Sequence, residues 1–397
     1  MQQTAQKARE LFNASFTAEK YQQFLADINP DYDLAIDFRI AESPVFVIEE
    51  FRLQMRYFFE DIKKFLYRSD LKELMKDAVP KEMNIPNESD HPAFVVIDFA
   101  ICKDENGDLV PQLIELQGIA SLYCYQQELN KAYKRHFDIP KELTPFYNGM
   151  DEEKYLTLFK KVIIGDANIE NVIMLDIEPK KQKTRIDFHY TEKNTGIRPV
   201  CVTEVFQEGN EIFYLRDGKK TKIERVYNRI VPDEFLKIKD QLHLRFDILS
   251  DLDIEWVAHP NWYYKISKYS MPFMESKFVP KTYFLDQLKE YPKDLENYVL
   301  KPLFSFASAG VEFDVTKEIL DKVEDKANHI LQRKVAYEPF LETPDVPAKA
   351  EIRMLCIWDD ELVPAINLAR LSKGKLIGVD FNKDKEWVGS SAVFFAS

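Results

Sequence analysis

The sequence predicts a mixed fold of the α+β / α/β class, on three observations: a helix-patterned start, a hairpin about an Asn-Gly turn, and a second half built of short apolar runs. Residues 1–90 read as a helical N-terminal segment. There the run FRLQMRYFFEDIKKFLYRSDLKELMKDAV carries apolar residues at three- and four-residue steps until Pro80 stops it. Residues 91–150 begin with AFVVIDFAICKDENGDLVPQLIELQG, two apolar runs around Asn106-Gly107, a strong hairpin signal. With the helix that follows, this segment is expected to pack with 350–397 as one lobe. Between 155 and 260, NVIMLDI reads as a buried strand, RIDFHYTEKNTG as a strand running into a helix or turn, and VCVTEV as another strand. EIFYLRDGKKTKIERVYNRI then reads as a hairpin about Asp217-Gly218 and a further strand, which completes a small three-layer α/β unit. Residues 262–349 are expected to form one lobe, helical around Pro280 over 262–295 and strand-rich beyond. The closing stretch, 350–397, carries EIRMLCIW, LVPAINLARLS and KLIGVDF.

Composition narrows the partners. With 67 acidic against 54 basic residues the net charge is -13, and no dense Lys/Arg block exists to attract a phosphate backbone, so nucleic acid and anionic membrane are set aside. A triphosphate site survives this test because it needs only a few local cations and a metal. The four cysteines form no CxxC pair and read as reduced and structural. The start MQQTAQKARELFNASF lacks the pattern of a signal peptide, and no run approaches eighteen apolar residues, so the cytoplasm is the expected compartment. The oligomeric state stays open.

Two constellations carry chemistry. With Asn106-Gly107 as the centre of a tight turn, Asp98 falls opposite Glu115 and Val96 opposite Gln117. Strand alternation then groups Val96, Asp98, Ala100, Leu113, Glu115 and Gln117 on one face, and leaves an apolar core face behind. Two carboxylates facing each other across a ladder repel, so a cation belongs between them. Oxygen ligands from Asp98, Glu115 and Gln117 suit Mg²⁺, with Mn²⁺ as the alternative. The competing interpretation is a solvated face on which each carboxylate has its own Lys or Arg.

The second constellation is VLKPLFSFASAGVEF, where Lys301 ends an apolar strand and Ser305, Ser308 and Gly310 stand in a small-residue loop able to close over phosphates. A snorkelling edge lysine is the alternative. Upstream, Lys265, Lys268, Lys277 and Lys281 offer further cations. Downstream, ILQRKVAYEPF runs into a bend that would present backbone groups to an adenine edge, with Gln332 and Lys334 beside it. Arg353 and Arg370 lie in apolar strands, where each faces either a pocket or a buried ion-pair partner such as Glu351 or Asp380.

The order PKTYF, YVLKPLFSFASAGVEF, HILQRKV, AEIRMLCIW, PAINLARLS resembles the nucleotide-binding core of ATP-grasp enzymes. Because ELQG at 115–118 precedes that core, the chain is similar to circularly permuted ATP-grasp proteins of the glutathionylspermidine synthetase type. In these an RxDF strand and an ExN strand come first, and TKIERVYNRIVPDEF is similar to the strand and arginine that follow their middle domain. The resemblance runs over about residues 94–395. It implies an ATP-grasp fold with an α/β pre-ATP-grasp-like domain over 155–260. It also implies ATP with Mg²⁺ bound between two lobes, and ligation of a carboxylate to an amine, on small-molecule or peptide substrates, through an acyl-phosphate. Lys301, Lys265, Lys281, Gln332, Lys334 and the Ser305/Ser308/Gly310 loop would then hold the nucleotide. Asp98, Glu115 and Gln117 would hold the metal, and Arg353 or Arg370 would stabilise the transferred phosphoryl group. Val96 stands where the pattern has arginine, Gln117 replaces asparagine, and the loop has one glycine, Gly310. Those departures keep open a degenerate member that binds a nucleotide or ligand without turnover. An interaction protein of this fold without nucleotide would leave the Asp98/Glu115 pair unexplained.

Overall fold

The computed structural model describes residues 2–29, 36–305, 310–374, 377, 382 and 384–396. Ser308, Asp380 and most of KLIGVDF lie outside the described residues. Helices and strands are numbered along the chain. The helical start consists of α1 (Gln2–Ser15), α2 (Ala18–Ile28), α3 (Glu49–Leu66) and the single turn α4 (Leu71–Leu74), with the short strand β1 (Val45–Phe46) ahead of α3. The Thr17 hydroxyl accepts the Lys20 N–H at 3.2 Å and starts α2. On α3 the expected period holds, with Phe51, Met55, Phe58, Ile62 and Phe65 buried along one face.

Among the described residues the strands make four sheets. The largest joins the two ends of the chain, in the order β1-β17-β16-β15-β2-β3, with β4 (Leu143–Thr144) pairing β17. Its long strands are β2 (Phe94–Lys103), β3 (Leu109–Gln117), β15 (Lys349–Trp358), β16 (Leu362–Ser372) and β17 (Gly389–Ala396). One face, with Val95, Ile97 and Met354, packs under α3. The other, with Val96, Leu355 and Ile366, packs under α5 (Tyr123–His136) and α6 (Glu152–Ile164). Asp98 lies on this second face, two residues beyond Val96.

The second sheet is parallel throughout: β5 (Val172–Asp176), β6 (Arg198–Cys201), β10 (Arg225–Asn228) and β11 (Glu255–Val257), in the order β11-β10-β5-β6. Every residue of β5 is buried, both the apolar run from Val172 to Leu175 and the Asp176 that ends it. The RIDFHYTEKNTG stretch, expected to begin as a strand, is α7 (Arg185–Thr195), closed by Gly196 at φ +81°. Its buried residues mix Ile186, Phe188 and Tyr190 with Asp187, Thr191 and Thr195, so no continuous apolar stripe marks the helix in the sequence. VCVTEV gives only the end of β6, followed by a 3-10 turn over Val202–Glu204. A three-stranded meander, β7 (Phe206–Glu208), β8 (Glu211–Arg216) and β9 (Lys219–Ile223), precedes β10, and α8 (Pro232–Ile238) follows it.

The region expected to be helical up to 295 is mostly not. It holds the five-residue α9 (Asn261–Lys265), a 3-10 turn over Lys268–Phe273 that contains Pro272, and then β12 (Thr282–Phe284). Strand β12 joins β13 (Tyr298–Pro302) and β14 (His329–Arg333) in the order β12-β14-β13, and α10 (Lys317–Asp321) lies between the last two in sequence. GVEF contributes a single bridge, Leu300 to Glu312. Among the described residues no helix is long and apolar enough to cross a membrane.

Candidate functional site

The hairpin places Asp98 opposite Glu115 and Val96 opposite Gln117. It reaches that pairing by a route different from the one expected. The turn is longer than two residues: Asp104 accepts the Asn106 and Asp108 N–H groups, both at 2.9 Å, and Gly107 adopts φ +86°. A bulge beside Asp98 then shifts the register by one residue, so the two departures cancel at the site end. The shift also moves Leu113 opposite Phe99, onto the core face rather than the Asp98 face.

On the neighbouring strand Arg353 stands opposite Asp98 and meets it with both arms, Nε to Oδ1 at 2.7 Å and Nη2 to Oδ2 at 2.6 Å. Arg370, on β16, donates to Asp98 Oδ2 at 3.4 Å and pairs with Glu351, its ladder partner on β15. Tyr337 donates to the other Glu351 oxygen at 2.9 Å. Gln117 links the two carboxylates of the hairpin, its NH2 donating to Asp98 at 3.0 Å and to Glu115 at 2.9 Å.

Two lysines approach Glu115 from the other side. Lys268, in the 3-10 turn after α9, lies 3.8 Å from Glu115 Oε2 and donates to the Ser305 carbonyl at 2.8 Å. Lys301, on β13, donates to the Ile114 carbonyl at 3.4 Å. Burial lowers the Lys301 pKa to about 8, with Lys268 adding to the effect while Glu115, Glu351 and Asp98 pull it back up. For Glu115, burial acts to raise the pKa, but Lys268, Lys301 and the two arginines outweigh it and hold the group below its ordinary value. Burial likewise opposes the charge on Arg370, and Glu351 and Asp98 more than restore it. A cavity of about 30 Å³ lies beside this cluster, lined by Glu115, Gln117, Tyr263, Lys268, Phe304 and Ser305.

The remaining expected residues divide. Gln332 shares the Lys301 face of the small sheet: it is buried, its NH2 faces the Met271 sulfur at 3.7 Å, and its Oε1 has no partner. Gly310 closes the described edge of the loop at φ +72°, where a Cβ would meet Pro302 Cγ at 2.9 Å. Three lysines do not join the cluster. Lys265 pairs with Glu88 at 2.6 Å, Lys281 is exposed and lies over the Tyr283 ring, and Lys334 is exposed and donates to the Glu296 carbonyl. The cation that does meet Glu115, Lys268, is three residues beyond the one expected, because α9 ends at Lys265 and the following turn re-aims the chain.

As a metal site the hairpin fits in part. Asp98 is fully buried and already neutralised by cations, since both its oxygens accept from Arg353 and Oδ2 also accepts from Arg370 and Gln117, so it does not call for a metal. Glu115 borders the cavity, and a half-turn of the Gln117 amide would present its oxygen in place of its NH2. These two suit a Mg²⁺ that completes its shell with water and phosphate. Among the described residues no group of three or more His, Cys, Asp or Glu side chains is arranged to hold a metal ion.

A second ionic centre, missed in the sequence, lies at the end of the parallel sheet. Arg229 and Asp187 pair at 2.8 Å with side-chain exposures of 3% and 1%. Asp187 also accepts the Leu122 and Tyr125 N–H groups at 2.9 and 3.0 Å, which starts α5. Nearby, burial raises Asp176 to about 7, with Arg229 working against the shift.

No family model matches the sequence, and no curated protein matches it. Among solved structures, the chain is similar to a glutathione synthetase-like effector from Globodera pallida in its apo form, with a TM-score of 0.58 and 13% identity over 95% of this chain and 96% of that one. At that identity the likeness is one of fold, and it extends over nearly the whole of both chains.

Proposed function

We propose that the chain is an ATP-grasp-like protein that binds MgATP beside Glu115 and ligates a carboxylate to an amine through an acyl-phosphate. The observation that carries the reading is convergence. Lys268, Lys301, Arg353 and Arg370, from four separate elements, gather around Asp98, Glu115 and Glu351, leaving one positive charge in surplus. A partly buried surplus of cations suits an anion with several oxygens, such as a triphosphate. The likeness in fold to a glutathione synthetase-like effector, and the motif order shared with ATP-grasp chains, support the same reading.

Lys301 and Lys268 would neutralise phosphate oxygens, and Gln332 would offer its unpartnered Oε1 to the base. Mg²⁺, held by Glu115 and the Gln117 amide oxygen, would supply charge neutralisation between phosphates. Arg370, oriented by Glu351, would face the transferred phosphoryl group. Arg353 is committed to Asp98 and would act by holding the strand ends in register.

Binding is tested by thermal unfolding with and without millimolar MgATP, since a ligand selective for the native state stabilises it by about 2.7 kcal/mol at a hundredfold excess over Kd. No shift for the native chain, with Mg²⁺ and ATP both present, overturns the reading. Turnover is tested by ADP release with paired carboxylates and amines. The locked Asp98 and the small cavity favour one second reading, a nucleotide-binding protein without turnover, which binding without ADP release would support.

A further inference from the structure

Lys268 is placed by a stretch of chain that has little local structure of its own, since α9 is five residues long and the turn after it is 3-10. What fixes that stretch is Asn261, the first residue of α9, which is 1% exposed. Its Oδ1 accepts the Ile85 N–H at 3.1 Å, and its NH2 donates to the Ile85 carbonyl at 3.0 Å, Asn84 Oδ1 at 3.0 Å and Glu88 Oε2 at 2.9 Å. Both N–H groups of the amide, shared among three acceptors, and one lone pair of its oxygen are therefore used on the segment 84–89, which leads into β2. The neighbours reinforce it: Trp262 Nε1 donates to Ser89 Oγ at 3.0 Å, Lys265 pairs with Glu88, and His259 Nε2 lies 3.0 Å from the Pro86 carbonyl.

The other side of α9 meets the end of the hairpin. The Gly118 N–H donates to the Ile266 carbonyl at 2.7 Å, and the Trp262 carbonyl oxygen lies 2.1 Å from where a Gly118 Cβ would stand. One short helix is thus held by the 84–89 strap behind it and presses on the residue after Gln117 in front, while its continuation carries Lys268.

We propose that Asn261 is the positioning residue of the anion site: by clamping the strap to α9 it sets Lys268 against Glu115 and fixes the Gly118 end of the hairpin. The proposal rests on the nucleotide reading only for what the site binds, since the clamp is a property of the chain itself. A buried amide that satisfies four groups at once has no close substitute, because a carboxylate of the same shape keeps the acceptor and loses both donors.

Asn261→Asp makes that change and sets a carboxylate against Glu88. Adding Glu88→Gln returns an N–H to the pair with its polarity reversed. Hydrogen exchange at the Gly118 amide, which Asn261 does not touch, is expected to accelerate tenfold or more in N261D, while amides in the centre of β15 keep their native protection. The MgATP Kd is expected to rise tenfold or more. N261D/E88Q should recover most of both effects. Should N261D not fold, Asn84→Ala removes one arm of the clamp, leaves the Lys265–Glu88 pair in place and is expected to open Gly118 about threefold. Native exchange at Gly118 in N261D, with acceleration confined to Ile85, overturns the proposal. A native chain that binds no MgATP sinks the nucleotide reading alone, and Gly118 exchange still decides this one.

Discussion

Lys301 is the residue whose ionisation should govern the site. With a folded pKa of about 8 against 10.5 for the free side chain, the native state binds fewer protons than the unfolded chain between those values. Its contribution to stability therefore grows as pH rises through that window. Phosphate binding has the opposite sign, because it needs the ammonium. MgATP affinity measured by calorimetry is expected to be level below pH 8 and to fall above it. Lys301→Met should lose at least tenfold at pH 7, and an affinity that rises through pH 8 would remove Lys301 from the site. Asp98→Ala leaves the Arg353 guanidinium without its buried partner, takes the weaker of two partners from Arg370, and is expected to cost about 3–5 kcal/mol in urea unfolding. A loss below about 1 kcal/mol would mean that the cluster is solvated. Asp176 runs the other way. Raised to about 7, it keeps its proton in the native state at pH values where the unfolded chain has lost it, so its contribution falls as pH rises from 3.8 to 7. Asp176→Asn should raise Tm at pH 8 and leave it unchanged at pH 4, and equal effects at both would assign the change to packing. Asp98 and Glu115 were legible because strand alternation is a local rule, while Lys268 and the Asp187–Arg229 pair depend on where distant segments turn.

At the scale of elements, the hairpin shows how a correct pairing can follow from an incomplete rule. The two-residue turn was the natural inference from Asn-Gly, yet Asp104 uses its side chain to build a longer loop and the bulge at Asp98 compensates. Neither leaves a mark in the sequence, since bulges are set by the strands on either side. Helix α7 was hidden for a related reason, because its buried residues mix apolar with polar, and the most polar of them, Asp187, is satisfied by N–H groups at the start of α5. Tight approach of elements is testable at Gly118. Gly118→Ala drives a methyl group into the Trp262 carbonyl, with an expected loss of about 1–3 kcal/mol in denaturant unfolding and weaker MgATP binding. An alanine variant as stable as the native chain would show that α9 and β3 can part freely.

For the molecule as a whole, the main sheet brings residues near position 45 and near position 394 into adjacent strands, with β2 and β15 paired at its centre. Such pairing between distant segments cannot be read from periodicity, which specifies which face of a strand is buried and not its neighbour. The mixed class and the approximate positions of most strands were legible. The splitting into four sheets, and the pairing of β1 with β17, required the structure. The likeness to a glutathione synthetase-like effector, at 13% identity over 95% of this chain, is one of fold.

The small cavity beside Glu115 has a kinetic consequence. Its volume of about 30 Å³ is room for a water or two, whereas ligand pockets are on the order of 300–1,000 Å³. The Lys268 ammonium, bonded to the Ser305 carbonyl, closes one wall, so a nucleotide taking that lysine must first break the bond. Association then has two steps, and in a rapid-mixing experiment the observed rate should level off as MgATP concentration rises, at a plateau set by how often Ser305 lets go.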